Sequence, residues 1–187
     1  MKKIKTAGFM FCLLLCCFSV RAQQIAEKTN IIGWTTLSPN IGGEISLSRQ
    51  WSLDANFSYH PWKLSATTSL RHWLLSPELR WWYCRSFEGS FWGVHLLAGQ
   101  FNVRALPLTG MPKDYEYAGF LIGGGVSYGY HLPLSARWGM EFTVGVGYAW
   151  IDYDKYECKQ CREKIAEGQY NYFGPTRLGI SLIYFLQ

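Results

Sequence analysis

The chain has 187 residues, with 18 Lys and Arg against 13 Asp and Glu and a formal charge of +5 at pH 7. Four of those cations (Lys2, Lys3, Lys5 and Arg21) lie within the first 22 residues, so the rest is close to neutral at 14 against 13 and lacks the basic footprint of a nucleic-acid binder. Aromatics reach 17%, with 9 Trp and 12 Tyr, there are 19 Gly, and no apolar run after residue 22 is long enough for a membrane helix.

Residues 1–22 read as a secretory signal peptide. Lys2, Lys3 and Lys5 precede an apolar run from Ala7 to Val20, and Val20-Arg21-Ala22 offers a cleavage site before Gln23. Cys16 and Cys17 follow Leu15 and Cys16 rather than the small residue of a lipobox, so no lipid anchor is expected. Residues 23–187 are then one domain.

Within that domain period-2 alternation recurs and a helical period is almost absent. Eight runs are predicted as strands, at 28–37, 41–48, 51–61, 72–84, 91–104, 116–130, 138–151 and 171–187. In the fourth, Trp73, Leu75, Pro77, Leu79, Trp81 and Tyr83 share one face, against His72, Leu74, Ser76, Glu78, Arg80, Trp82 and Cys84 on the other. In the seventh, Met140, Phe142, Val144, Val146, Tyr148 and Trp150 oppose Glu141, Thr143, Gly145, Gly147 and Ala149. In the eighth, Tyr172, Leu178, Ile180, Leu182, Tyr184 and Leu186 oppose Asn171, Arg177, Gly179 and Ser181. Several runs exceed the five or six residues common in soluble sheets and suit a tilted strand crossing a bilayer.

The connections alternate. Ser48–Gln50, Arg85–Ser90 and His131–Arg137 are short, whereas Trp62–Arg71, Ala105–Tyr115 and Asp152–Tyr170 are longer and more polar; only Ser38-Pro39-Asn40 breaks the rule on the long side. The expected fold is therefore all-β, an eight-stranded antiparallel up-and-down transmembrane β-barrel in a bacterial outer membrane, with both termini periplasmic. A closed barrel is demanded because hydrocarbon offers no water to satisfy strand edges. The segments Leu47–Asp54 and Leu134–Glu141 resemble each other and each leads from a turn into a strand carrying an inward carboxylate.

Inward positions include Glu44, Asp54, Asn56, His60, His72, Glu78, Arg80, His95, Glu141 and Arg177. Eight strands leave an interior that side chains fill, and buried charges there need partners. Arg80 and Arg177 are expected to bridge Glu44, Asp54, Glu78 and Glu141 as a polar plug. Glycines at Gly123–Gly125, Gly129, Gly145 and Gly147 make room for it. Cys158-Lys159-Gln160-Cys161 has no second ligand pair for zinc and no thioredoxin-like context, so a loop disulfide between Cys158 and Cys161 is expected. Cys84 lies too far away to join it.

Lys28-Thr29-Asn30, His60-Pro61-Trp62, HWLLSPELRWW (72–82), GVHLLAGQFN (93–102), WIDYDKYECKQC (150–161) and YFGPTRLGISLIY (172–184) resemble a family of Bacteroidota exported proteins known as a domain of unknown function. The resemblance covers the mature chain. It implies an OmpA-like outer-membrane barrel and supplies no activity. No catalytic, cofactor or metal residue is expected, and the chain reads as a structural or surface-interaction protein rather than an enzyme. Its expected partners are outer-membrane lipids, lipopolysaccharide and envelope or fimbrial proteins. A lipid-modifying enzyme and a narrow channel are the alternatives.

Overall fold

The computed structural model describes residues 24–62, 69–104, 115–157 and 163–186. Their order is β1 (Ile25–Asn30), α1 (Ile31–Thr35), β2 (Asn40–Ser46), β3 (Trp51–His60), β4 (Ser69–Trp82), β5 (Gly89–Arg104), β6 (Tyr115–Pro133), β7 (Trp138–Glu157) and β8 (Glu163–Phe185). Each strand pairs antiparallel with the next, and β1 pairs with the Ser181–Phe185 end of β8, so the sheet closes into a ring over that lower part. Closure satisfies the backbone donors and acceptors that an open sheet leaves at its edges.

Alternation places side chains as the pleat demands. On β5, Phe91, Gly93, His95 and Leu97 are buried inside while Trp92, Val94 and Leu96 stand outside, Leu96 at 63% exposure. On β4 the inside row is Ser76, Glu78, Arg80 and Trp82, and the last two have no exposed area. The core is thus the interior of the ring, and it is polar in the middle.

The first expected strand, 28–37, is wrong. β1 ends at Asn30, whose side chain accepts from the Ile32 amide at 3.1 Å and caps the single turn α1. The connection from β1 to β2 is therefore the nine-residue stretch 31–39 rather than Ser38-Pro39-Asn40 alone. The expected long connection Asp152–Tyr170 is corrected too. Asp152–Glu157 and Glu163–Tyr170 belong to β7 and β8 and pair with each other, with a register shift between Lys155 and Tyr156. Tyrosines and charges occupy both faces there, so no hydropathy period marks the strands. Cys84 falls in the turn after β4, not within the strand.

Tyr172 is also reassigned. Gly145 pairs with Arg177 but Val146 with Pro175, so Thr176 is an extra residue that inverts the alternation above it. Tyr172 pairs with the inward Ala149, and Phe173 points outward at 81% exposure.

The strands lengthen along the chain, from 6 residues in β1 to 23 in β8. The ring has one low wall and one tall wall, both rising from the same turn end. Two of the three turns there are near copies. The amides of Leu47 and Ser48 donate to Trp51 O at 2.8 and 3.0 Å, and those of Leu134 and Ser135 to Trp138 O at 2.9 and 3.0 Å. Each turn launches a strand whose fourth residue, Asp54 or Glu141, is a buried inward carboxylate.

Candidate functional site

Seven charged side chains meet inside the ring: Lys28, Glu44, Asp54, Glu78, Arg80, Glu141 and Arg177. Arg80 is the hub. Its Nη1 donates to Glu44 Oε2 at 2.7 Å and to Glu141 Oε2 at 2.9 Å, and its Nε to Glu78 Oε2 at 2.6 Å. Asp54 Oδ2 lies 3.4 Å from Nη2. Lys28 Nζ reaches the same two carboxylate oxygens, Glu44 Oε2 at 2.6 Å and Glu141 Oε2 at 2.7 Å. Arg177 Nη2 donates to Asp54 Oδ2 at 2.7 Å and lies 3.2 Å from Glu78 Oε2, while its Nη1 donates to Ser76 Oγ at 3.1 Å.

The second carboxylate oxygens of the three glutamates are held by hydroxyls. Ser52 donates to Glu44 Oε1, Ser127 to Glu78 Oε1, and Thr143 to Glu141 Oε1 at 3.0 Å. Trp82 Nε1 donates in turn to Ser52 Oγ at 2.8 Å. Carboxylates taken out of water remain ionised only when cations and donors surround them in this way. Four carboxylates face three cations, and each carboxylate touches at least one of them.

The network is also a cross-link. Lys28 comes from β1, Glu44 from β2, Asp54 from β3, Glu78 and Arg80 from β4, Glu141 from β7 and Arg177 from β8. Ser127 adds β6. Strand β5 contributes the Phe91 ring, 4.4 Å below the Arg80 guanidinium, and Gly93, where a Cβ would collide with the Glu78 carboxylate and the Ser127 hydroxyl. Only a residue without a side chain lets those two groups meet.

Toward the turn end an aromatic layer closes beneath the charges. Trp82 lies 4.7 Å from Phe91 and 5.8 Å from Phe87 between ring centroids, and Phe87 meets Phe185 edge-on at 5.2 Å. Ala26 and Ile183 complete it, both fully buried. His131 Nδ1 is bonded to Phe87 O, which ties the turn 83–88 into the layer; Phe87 takes a positive φ of 66° to reach it.

A family model described as "Protein of unknown function (DUF3575)" matches residues 8–186. The chain belongs to that family. No curated protein and no solved structure matches the chain. The family assignment thus covers all eight strands and brings no activity with it.

Within this family member, the remaining predicted residues are placed as follows. His95 is fully buried above Gly145, with Nε2 2.9 Å from Thr176 Oγ1 on the bulge. His60 is buried and stacks on the half-buried His72 at 5.6 Å; neither ring nitrogen of His60 has a hydrogen-bond partner among the described residues. Asn56 is half-buried on the inward side of β3. Cys158 and Cys161 lie outside the described residues. Cys84 is exposed and unpaired.

Sequence reasoning missed Lys28, although it forms two of the shortest ion pairs in the ring. Its place at the margin of a misplaced strand hid it; starting β1 at Ile25 gives an inward row of Ala26 and Lys28. It also missed Ser52 and Ser127, whose only signal is to be small and polar on an inward row, and it placed Thr143 on the inward row without giving it a partner.

Proposed function

We propose that this chain is an exported outer-membrane β-barrel with a filled interior, working as a rigid scaffold that displays its tall wall to other envelope components. The observation that carries the membrane reading is the outer face. Rows of Leu53, Ala55 and Phe57 on β3, Leu75, Pro77 and Leu79 on β4, Val94, Leu96 and Ala98 on β5, and Phe142, Val144 and Val146 on β7 are uncharged rows of an apolar belt. Aromatics flank the belt, with Trp51, Trp81, Trp92, Tyr130, Trp138 and Tyr184 toward the turn end and Tyr59, Trp73, Phe120, Tyr148 and Trp150 toward the loop end. Exposed apolar area on this scale is foreign to a soluble monomer, and the flanking rings suit headgroup depth.

The display reading rests on what stands above the belt. There the outer surface of β7 turns to Asp152, Asp154 and Tyr156, and the inner surface gathers Tyr117 and Tyr153 at 5.8 Å with Lys155 3.7 Å from the Tyr115 ring centre. Tyrosine-rich, mixed-charge surfaces are the composition of recognition sites. Envelope proteins, including fimbrial ones, and lipopolysaccharide are the partners this surface suits. The filled interior favours a scaffold over a channel.

Fractionation tests the first half of the reading. The chain should sediment with outer membranes and migrate faster unboiled than boiled on a denaturing gel. Recovery in the soluble periplasm without detergent would end it. In planar bilayers the purified barrel should show no steady conductance, and ohmic current would favour the channel instead.

A further inference from the structure

The outer belt carries one charge among its described residues, and it lies beside a groove. Reading across the strands through their paired residues gives Trp138, Tyr184, Glu27, Gly43, Ala55 and Pro77. Gly43 and Ala55 present almost nothing outward, so the surface sinks between β8 and β3. A groove of about 580 Å³ results, lined by Ile41, Phe57, Leu182, Tyr184 and Trp138 and roofed by Trp34 of α1. Trp34 is fixed there by its Nε1, which donates to Thr29 Oγ1 at 2.7 Å.

Glu27 stands exposed on the groove wall at the level of Tyr184 and Trp138, the depth expected of the periplasmic headgroups. Among the described residues nothing neutralises it. The neighbouring Lys28 points the other way and is held by Glu44 and Glu141. An exposed carboxylate beside an apolar groove at headgroup depth is open to a cation from outside. The groove extends from Trp138 and Tyr184 at the turn end past Glu27, Lys28 and Thr29 of β1 to Trp34, Pro39 and Tyr59 at the loop end. Arg137, the exposed residue before Trp138, adds a positive group at the same end.

We infer that this groove binds a glycerophospholipid bearing a primary ammonium headgroup, drawn from the periplasmic leaflet. The ammonium donates to the Glu27 carboxylate, the phosphate lies on the Arg137 side, and an acyl chain occupies the channel between Leu182, Ile41 and Phe57 up to Trp34. A second copy of the chain fits less well, because its own belt offers no cation to Glu27. This inference rests on the membrane reading above.

The test uses the full mature chain refolded into vesicles of phosphatidylcholine containing equal traces of phosphatidylethanolamine and phosphatidylglycerol. The protein is then extracted in mild detergent and its retained lipids counted by native mass spectrometry. Phosphatidylethanolamine should be retained roughly two- to fivefold over phosphatidylglycerol, the preference a half-exposed ion pair supports. Glu27→Gln should abolish that preference. Trp34→Ala, which removes the roof of the groove, should lower retention of every phospholipid. Equal retention of the two lipids by the wild type, or an unchanged preference in Glu27→Gln, overturns the inference while leaving the barrel intact. Failure to enter any vesicle, seen as no heat-modifiable band, overturns the membrane reading instead.

Discussion

Around Arg80 every strand faces the same buried interior. Beyond His60 only β4 to β8 continue, and β7 and β8 run furthest. The lower region holds seven charges with side chains nearly all inaccessible; the upper holds pairs such as Lys164 and Asp154, 2.7 Å apart with side chains 45% and 37% exposed. The distances are alike, yet the consequences differ. Water screens the upper pair and takes over when it parts. Below, no water stands in, so losing one member leaves the others buried and unpaired. Burial, rather than ion-pair length, separates a group that holds the ring together from one that decorates it.

The largest effect should follow from Arg80→Met. Methionine fills similar space but leaves Glu44, Glu78 and Glu141 without the hub they share. Removing one partner of a buried network costs about 3–5 kcal/mol, whereas an exposed pair such as Lys164 with Asp154 is screened by water and contributes little. Urea titration of the refolded protein, followed by the heat-modifiable band, should place Arg80→Met far below wild type and Lys164→Met beside it. Equal midpoints for all three would erase the distinction between the regions.

A glycine pair sharpens the same contrast across the wall of the ring. Gly93 faces inward beneath the Glu78–Ser127 contact, whereas Gly43 faces the outer groove with open space where a Cβ would go. Gly93→Val should destabilise by about 1–3 kcal/mol through overpacking and loss of that contact. Gly43→Ala should change stability by less than about 0.5 kcal/mol, as open sites do. The same titration reads both, and a harmless Gly93→Val would mean the interior is looser than its contacts imply.

The lower region was legible in the sequence because one face was apolar throughout. Leu75, Leu79 and Trp81 fix the parity of β4, and parity alone turns Glu78 and Arg80 inward. Asp54, Glu44, Glu141 and Arg177 follow from the same counting, and the ion pairs join those side chains. What period-2 counting does not give is a contact made by a residue outside its run. Lys28 escaped because Ile31–Trp34 continue an apolar pattern that Asn30 interrupts with a cap. Tyr172 escaped because a bulge at Thr176 shifts the phase by one, and its one signal, Pro175 inside a strand of a closed sheet, was counted as an ordinary strand position. The upper halves of β7 and β8 escaped because both faces are wet there, and a strand with no apolar face has no period. The structure of residues 158–162 and 105–114 is outside the described residues, so the cysteine pair keeps the standing of an expectation.

The smallest effect belongs to the upper hairpin and depends on pH. Lys164 Nζ reaches Asp154 Oδ1 at 2.7 Å and Glu167 Oε2 at 3.0 Å. The hydrogen bond from Lys164 holds the Asp154 carboxyl below its ordinary value of 3.8, helped by the Tyr156 hydroxyl, and the two carboxylates hold the Lys164 ammonium above its ordinary 10.5. A depressed carboxyl stabilises the fold above its unfolded value and loses that contribution as pH falls through the folded one. A raised ammonium does so below its unfolded value and loses it as pH climbs through the folded one. The pair therefore contributes fully between about pH 4 and pH 10 and fades on either side. Amide exchange in Asp152–Glu157, corrected for the intrinsic rate, should show protection falling between pH 5 and pH 3 in the wild type. Lys164→Met should start lower and respond less to acid. A wild-type profile that stays flat while Lys164→Met exchanges no faster would show that backbone pairing alone holds the hairpin, with its surface charges left free for a partner to engage.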